Sequence, residues 1–188
     1  MKCAIQSLLA DCPKVKDFYK KYNDEAVIKY ATFENEDDFI NGDHCSLIDL
    51  NKAYGDGKAQ AWLLTQVTAL AFALGLNEKT NKFQLKEITY AIYKRFFYLK
   101  YTEMIFAFDY LRTINYYGNF SIATILQGIY DWDLEVRSKV IAKREQAERI
   151  RKEEGWKKTA VPMPDFVKRH LEEAEGKGIL NLNVFGKK

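Results

Sequence analysis

Apolar residues recur three and four positions apart along almost the whole of this chain, and only 3 prolines interrupt the pattern. That period belongs to α-helices that bury one face. Strict alternation, the mark of half-buried strands, is confined to a short stretch near the C-terminus, Asn181-Leu182-Asn183-Val184-Phe185. The expectation is therefore an all-α fold. Hydrophobic residues at 47% against charged residues at 29% supply both a core and a solvated surface, which excludes disordered, collagen-like and low-complexity classes. A chain of 188 residues can bury roughly 70% of its unfolded surface without disulfide staples.

Turn and capping residues divide the periodic segments. Asp11 reads as an N-cap, with Pro13 in the first turn of a helix over 13–22 that sets Val15, Phe18, Tyr19 and Tyr22 on one side. Segment 24–33 fits helix or strand. The acidic stretch 34–43, with Asn41-Gly42, reads as a loop. Ser46 and Asp49 form a capping-box pattern for a short helix over 47–54. After Gly55-Asp56-Gly57 the pattern predicts a mostly buried helix from Lys58 to Leu74, with Trp62, Leu63, Gln66, Val67, Leu70 and Leu74 in its stripe and Gly75 in the left-handed position beyond it.

Thr80 or Asn81 caps a helix over 82–97, and Thr102 caps one reaching Ile114 with Ile105, Phe108 and Leu111 inward. Ser121 caps a long helix whose stripe is Ile122, Ile125, Leu126, Ile129, Leu134, Val136 and Val140. Beyond Ile141 the stripe thins and charges pair at i,i+3 and i,i+4. Val161-Pro162-Met163-Pro164 reads as a linker, Asp165 to Ala174 as a short helix, and Ile179 to Phe185 as an extended tail released by Gly176-Lys177-Gly178. The expected organisation is a compact helical bundle over 1–142, a protruding charged helix over 143–160, and a linker, short helix and tail over 161–188. Trp62, Ile92, Phe96, Phe108, Ile125 and Leu126 are expected in the core.

The formal charge of +3 is too close to neutral to imply nucleic-acid binding by itself. Its distribution is uneven: residues 1–60 carry a net −3, and the two later thirds carry +3 each. The clearest excess lies in 139–158, where Lys139, Lys143, Arg144, Arg149, Arg151, Lys152, Lys157 and Lys158 face only four carboxylates. These eight cations are the candidate contacts for nucleic acid or another acidic partner. A second candidate is the aromatic run from Tyr90 through Tyr93, Phe96, Phe97, Tyr98 and Tyr101 to Phe120, with Lys94, Arg95, Lys100 and Arg112 among it. Rings plus cations grip single strands by stacking and phosphate pairing, although helical spacing assigns most of these rings to a core.

Catalytic signatures are missing from the sequence. It has no Gly-rich phosphate cradle, no nucleophile elbow, and no Cys–His pair with an orienting group. Cys3, Cys12, His44 and Cys45 have metal-ligand chemistry, but their spacing lacks the close pairs of zinc sites. Glu34, Glu36, Asp37, Asp38 and Asp43 sit together in one expected loop rather than on separate rigid elements. No metal, cofactor or enzymatic activity is expected. No segment reaches the roughly 18–20 apolar residues needed to span a bilayer, so the expected address is the cytoplasm of the producing cell, with no membrane partner.

Between Ser46 and Arg137, about half the chain, the stretches Ser46-Leu47-Ile48, Ala53-Tyr54-Gly55, Ala61-Trp62-Leu63 with Gln66, Gln84-Leu85, Tyr98-Leu99-Lys100 with Glu103, Tyr117-Gly118, Ile125-Leu126 and Glu135-Val136-Arg137 occur in order. In this the chain resembles a domain-of-unknown-function family of Bacteroides-type phages and conjugative elements. The resemblance implies a mobile-element protein and supplies no activity. Ile125 to Trp132 is also similar to the Ile-Leu…Trp helix of primosomal loader proteins. The tail residues Leu182, Val184 and Phe185 are expected to be anchors, either folded back over an apolar groove of the body or docked on a partner; in the second case their pattern resembles the pentapeptide by which replication proteins dock on a sliding clamp, with Asn181 in place of its Gln and Val184 in place of its Leu. The functional expectation is a non-enzymatic adaptor in a DNA transaction of a phage or mobile element, partnered by protein and by nucleic acid. The competing expectation is a virion structural protein such as a helical connector in a ring.

Overall fold

Short polar side chains start three of the described helices. The computed structural model describes residues 4–23, 25, 29, 40–75, 81–114, 120–159 and 165–176, except for the side chains of 157–159, 166, 171–172 and 175–176. The fold is all-α. The described helices are α1 (Ala4–Asp11), α2 (Val15–Lys21), α3 (Leu47–Tyr54), α4 (Lys58–Ala73), α5 (Lys82–Phe96), α6 (Tyr101–Thr113), α7 (Ile122–Trp132), α8 (Ser138–Thr159) and α9 (Asp165–Gly176). A π-helical turn, Asp133–Arg137, joins α7 to α8. The chain divides into two compact units, Met1–Glu145 and Gln146–Lys188, with the division falling inside α8. The linker 161–164 and the tail 179–185 lie outside the described residues.

The expected caps at α3, α5 and α7 are present. Ser46 Oγ accepts from the Asp49 amide at 3.3 Å, Asn81 Oδ1 from Gln84 at 2.7 Å, and Ser121 Oγ from Thr124 at 3.2 Å, each satisfying an orphan donor of a first turn. Gly75, at φ 68°, takes the left-handed position after α4. Two caps differ from expectation. Asp11 closes α1 instead of opening α2, whose N-cap is Lys14, with the Asp17 carboxylate accepting from its amide at 3.2 Å. At α6 the N-cap is Lys100 rather than Thr102, and the Glu103 carboxylate accepts from the Lys100 amide at 2.8 Å.

In the first unit, α4 packs against α3, α5 and α6, while α7 packs against α5 and α6 and α1 against α3. Held between α4 and α7, α6 buries every residue from Tyr101 to Phe108. In place of the expected stripe on one side, α6 is therefore buried all round for about two turns. Where α6 meets α7 the contact is close enough to need Gly128: a Cβ there would stand 2.7 Å from Ile114 Cδ1 and nearer still to Leu111. Phe18 centres an aromatic cluster with ring centroids 5.1 Å from Tyr22, 5.3 Å from Tyr101, and 5.9 Å from both Tyr54 and Trp62. Trp62 Nε1 donates to the Tyr22 carbonyl at 2.7 Å.

The long helix expected after Ser121 is broken in register. A π turn inserts one extra residue into the ladder, so the stripe does not run on in phase. Ile125, Ile129 and Trp132 are buried, but Leu134 is 59% exposed, against expectation. Leu126, expected in the core, is only partly buried and lines a surface hollow between α5 and α7. The π turn delivers Arg137 instead: Nε donates to Glu103 Oε1 at 2.8 Å and a terminal nitrogen to Asp133 at 3.0 Å. Glu103 is only 1% exposed. Breaking a buried ion pair on one side leaves the other charge uncompensated. Arg137→Ala is expected to lower stability by about 3 kcal/mol or more, and Glu103→Gln combined with Arg137→Met to recover most of that loss. Chemical denaturation of the three proteins measures both effects.

Candidate functional site

α5 presents a single outward face with a regular pattern. Its inward side holds Ile88, Thr89, Ile92 and Phe96. Opposite, Phe83, Lys86, Glu87, Tyr90, Lys94 and Phe97 fall within an arc of about 100°. The rings recur every seven residues, so each stands about 10 Å along the axis from the next. Phe83 is 71% exposed, Tyr90 61% and Phe97 43%. Phe97 keeps right-handed helical angles at the C-cap, which holds it in line with the helix, and it meets the ring of Tyr98 edge to face at 6.0 Å. Lys86 and Lys94 stand exposed between the rings, and Arg95 borders them.

The structure thus sorts the aromatic run. Phe96, Tyr101, Phe106, Phe108 and Phe120 are core; Tyr93 and Tyr110 are half-buried; Tyr90, Phe97 and Tyr98 are exposed. Tyr116 and Tyr117 lie outside the described residues. Of the cations placed with this run, Lys94 and Arg95 are exposed. Lys100 turns inward, where its ammonium donates to the carbonyls of Ile40 at 2.8 Å and Gly42 at 2.7 Å. Burial lowers its pKa, with Arg137 and Arg144 pushing the same way and Glu103 and Asp43 opposing. Arg112 is half-buried.

Two exposed rings outside the expected aromatic run belong to the same region. Phe83 opens α5, and Phe72, 61% exposed, projects from the most apolar window of the chain. The seven-residue spacing of Phe83, Tyr90 and Phe97 was the available signal for the first. For Phe72 the signal was helical phase, which sets it opposite the stripe of Trp62, Leu63, Gln66, Val67 and Leu70.

The basic segment of α8 is differently organised. Lys139, Lys143, Arg144, Arg149, Arg151 and Lys152 are exposed, while Lys157 and Lys158 lie in the helix without described side chains. At 3.6 residues per turn these cations fall on every side of the helix, interleaved with Glu145, Glu148, Glu153 and Glu154. Arg144 donates to the Asn41 carbonyl at 3.3 Å. The tail anchors Leu182, Val184 and Phe185 lie outside the described residues.

The sulfur and imidazole set is split. Cys3 lies outside the described residues. Cys12 and Cys45 are buried, and no cluster of three or more His, Cys, Asp or Glu suited to a metal occurs among the described residues. Burial, then the adjacent Asp11 carboxylate, pushes the Cys12 thiol up to about 11. It is protonated near neutrality and a poor ligand or nucleophile there. His44 and Cys45 line a hollow of about 330 Å³ with Asp11, Lys21, Tyr22 and Tyr101. The Asp11 and Lys21 side chains are engaged with each other at 2.6 Å, and Tyr101 donates its hydroxyl proton to the Tyr22 hydroxyl at 3.1 Å.

In comparisons with known proteins, no family model matches the chain, and no match was found among curated proteins or among solved structures. No described helix is long and apolar enough to cross a membrane.

Burial lowers the His44 pKa below its ordinary 6.5, Lys100 adds to the shift, and Asp43 and Glu103 oppose it. Above about pH 6.5 the imidazole is neutral in both the folded and unfolded chain. Below that, the unfolded chain takes up a proton that the folded chain resists, so stability falls with pH. His44→Gln is expected to flatten the acid side of the stability profile between about pH 6.5 and 5. Thermal melts across that range check it, and an unaltered slope places the titration on another group.

Proposed function

We propose that this chain is a non-enzymatic binding protein that holds single-stranded nucleic acid along the outer face of α5, acting in a DNA transaction of a phage or mobile element. The observation that carries this reading is the alternation of exposed rings and ammonium groups: Phe83, Lys86, Tyr90, Lys94 and Phe97 on one helix face. Stacking on an aromatic ring needs only the π face of a base, so such a surface tolerates any sequence, and each ammonium pairs with a phosphate. Glu87 is the one carboxylate of that face. The mobile-element setting rests on the resemblance between Ser46 and Arg137.

The α5 face is better suited to this task than the cations of α8, which are not gathered on one side. Rings on a helix packed into a core are also held in fixed orientation, which limits the entropy lost on stacking.

Fluorescence anisotropy with a labelled oligo-dT tests the reading. Saturable binding is expected, weakening steeply between about 50 and 200 mM salt as phosphate contacts release counterions. Phe83→Ala with Tyr90→Ala is expected to weaken binding about tenfold or more, since each base stacked on a ring contributes about 1–3 kcal/mol. No binding at low salt, or binding untouched by the double substitution, overturns the proposal. If the protein instead sediments as a ring and ignores DNA, the virion connector takes its place.

A further inference from the structure

We propose that the groove between α4 and α5 docks an acidic amphipathic helix of a partner protein. The groove has a volume of about 420 Å³ and is lined by Leu64, Thr68, Ala71, Phe72 and Leu85, with Lys82 and Lys86 along one rim. Its floor and walls are carbon, apart from the Thr68 hydroxyl, which is committed to the Leu64 carbonyl at 2.7 Å. A second hollow shares Leu64, Thr68 and Phe72 and runs over Thr65 and Ala69. Together they line the exposed side of α4 from Leu64 to Phe72, about 12 Å at 1.5 Å per residue. That length takes two turns of a docked helix, whose side chains at i, i+4 and i+7 fill such a channel.

Charge selects the occupant. Lys82 and Lys86 are one turn apart on α5, exposed, and in no ion pair with a described residue. The described lining of the groove contains no carboxylate. A helix with a Leu-type stripe flanked by Glu or Asp satisfies both the apolar floor and the basic rim, whereas a basic helix meets like charges. Phe72 is exposed at the groove wall, so docking covers a ring that water now faces. With nucleic acid on the outer face of α5 and a protein helix beside it, the chain joins two ligands that share Lys86, although the apolar lining and Lys82 do not depend on the first reading.

The test uses the full chain and two labelled amphipathic peptides of identical Leu stripe, one flanked by Glu and one by Lys. The Glu peptide is expected to bind saturably, and the Lys peptide at least tenfold more weakly. Phe72→Ala, which removes an exposed ring and leaves the core intact, is expected to weaken the Glu peptide tenfold or more without altering oligo-dT binding. Thr68→Trp, which fills the groove without adding charge, is expected to do the same. Phe83→Ala with Tyr90→Ala is expected to leave the peptide affinity unchanged, which separates this proposal from the nucleic-acid reading. Failure of the Glu peptide to saturate, equal affinity for both peptides, or indifference to Phe72→Ala with retained helical circular dichroism overturns it. Binding to anionic vesicles through Phe72, with no peptide binding, overturns it in favour of a lipid surface.

Discussion

The first unit is organised around one buried carboxylate. Glu103 closes the N-terminus of α6 through the Lys100 amide and receives Arg137 from the end of the π turn. The Arg137 guanidinium also lies 5.9 Å from the centre of the Tyr98 ring. Two residues before α6, the link between α5 and α6 is sewn to the start of α3: Leu47 donates to the Leu99 carbonyl at 2.9 Å, Ile48 to Phe97 at 3.1 Å, and Tyr101 to Cys45 at 3.1 Å. The Lys100 ammonium adds the carbonyls of Ile40 and Gly42. Four stretches distant in sequence therefore meet at the start of α6. A charge placed there is tolerated because the Lys100 amide and the Arg137 guanidinium both donate to it.

That arrangement explains the π turn. A continuous α-helix from Ser121 would carry Val136 onto the side of Ile125, Ile129 and Trp132 and turn Arg137 away from it, while Leu134, nine residues after Ile125, falls opposite that side. One inserted residue brings Arg137 round to the carboxylate. π turns of this kind are often kept where a side chain must be aimed, and here the aimed side chain is structural.

The packing of α5 follows from the same frame. With α4 and α7 on its inner side, α5 has its buried residues on one arc and leaves two others open: the ring-and-lysine face toward solvent and the Lys82–Lys86 edge beside α4. Exposed aromatic rings at fixed seven-residue intervals exceed the scattered single apolar residues that any soluble surface carries. The interaction surfaces thus sit on a helix whose opposite side is anchored in the core, which keeps their geometry fixed.

By itself the sequence determined the helical class and the starts of several helices. Both are local: a period of 3.6 and a Ser, Asn or Asp one turn ahead of its amide need no distant partner. Ser46, Asn81, Ser121 and Gly75 therefore declared themselves, as did Trp62, Ile92, Phe96, Phe108 and Ile125. Part of the candidate face was readable too, since Tyr90, Phe97, Lys94 and Arg95 stood in the aromatic run. What the sequence did not decide was which rings would be covered. Leu126 belongs to the apolar stripe of its helix, and only the position of α7 leaves it half-covered; Phe72 stands opposite the stripe of α4, and only the placement of α5 makes that ring the wall of a groove. Nor could local pattern show that Glu103 would lie buried against Arg137. An ion pair across 34 positions exists only once the chain has closed on itself, and the register of the helix that supplies the arginine was set by that closure, not by the period of the residues within it.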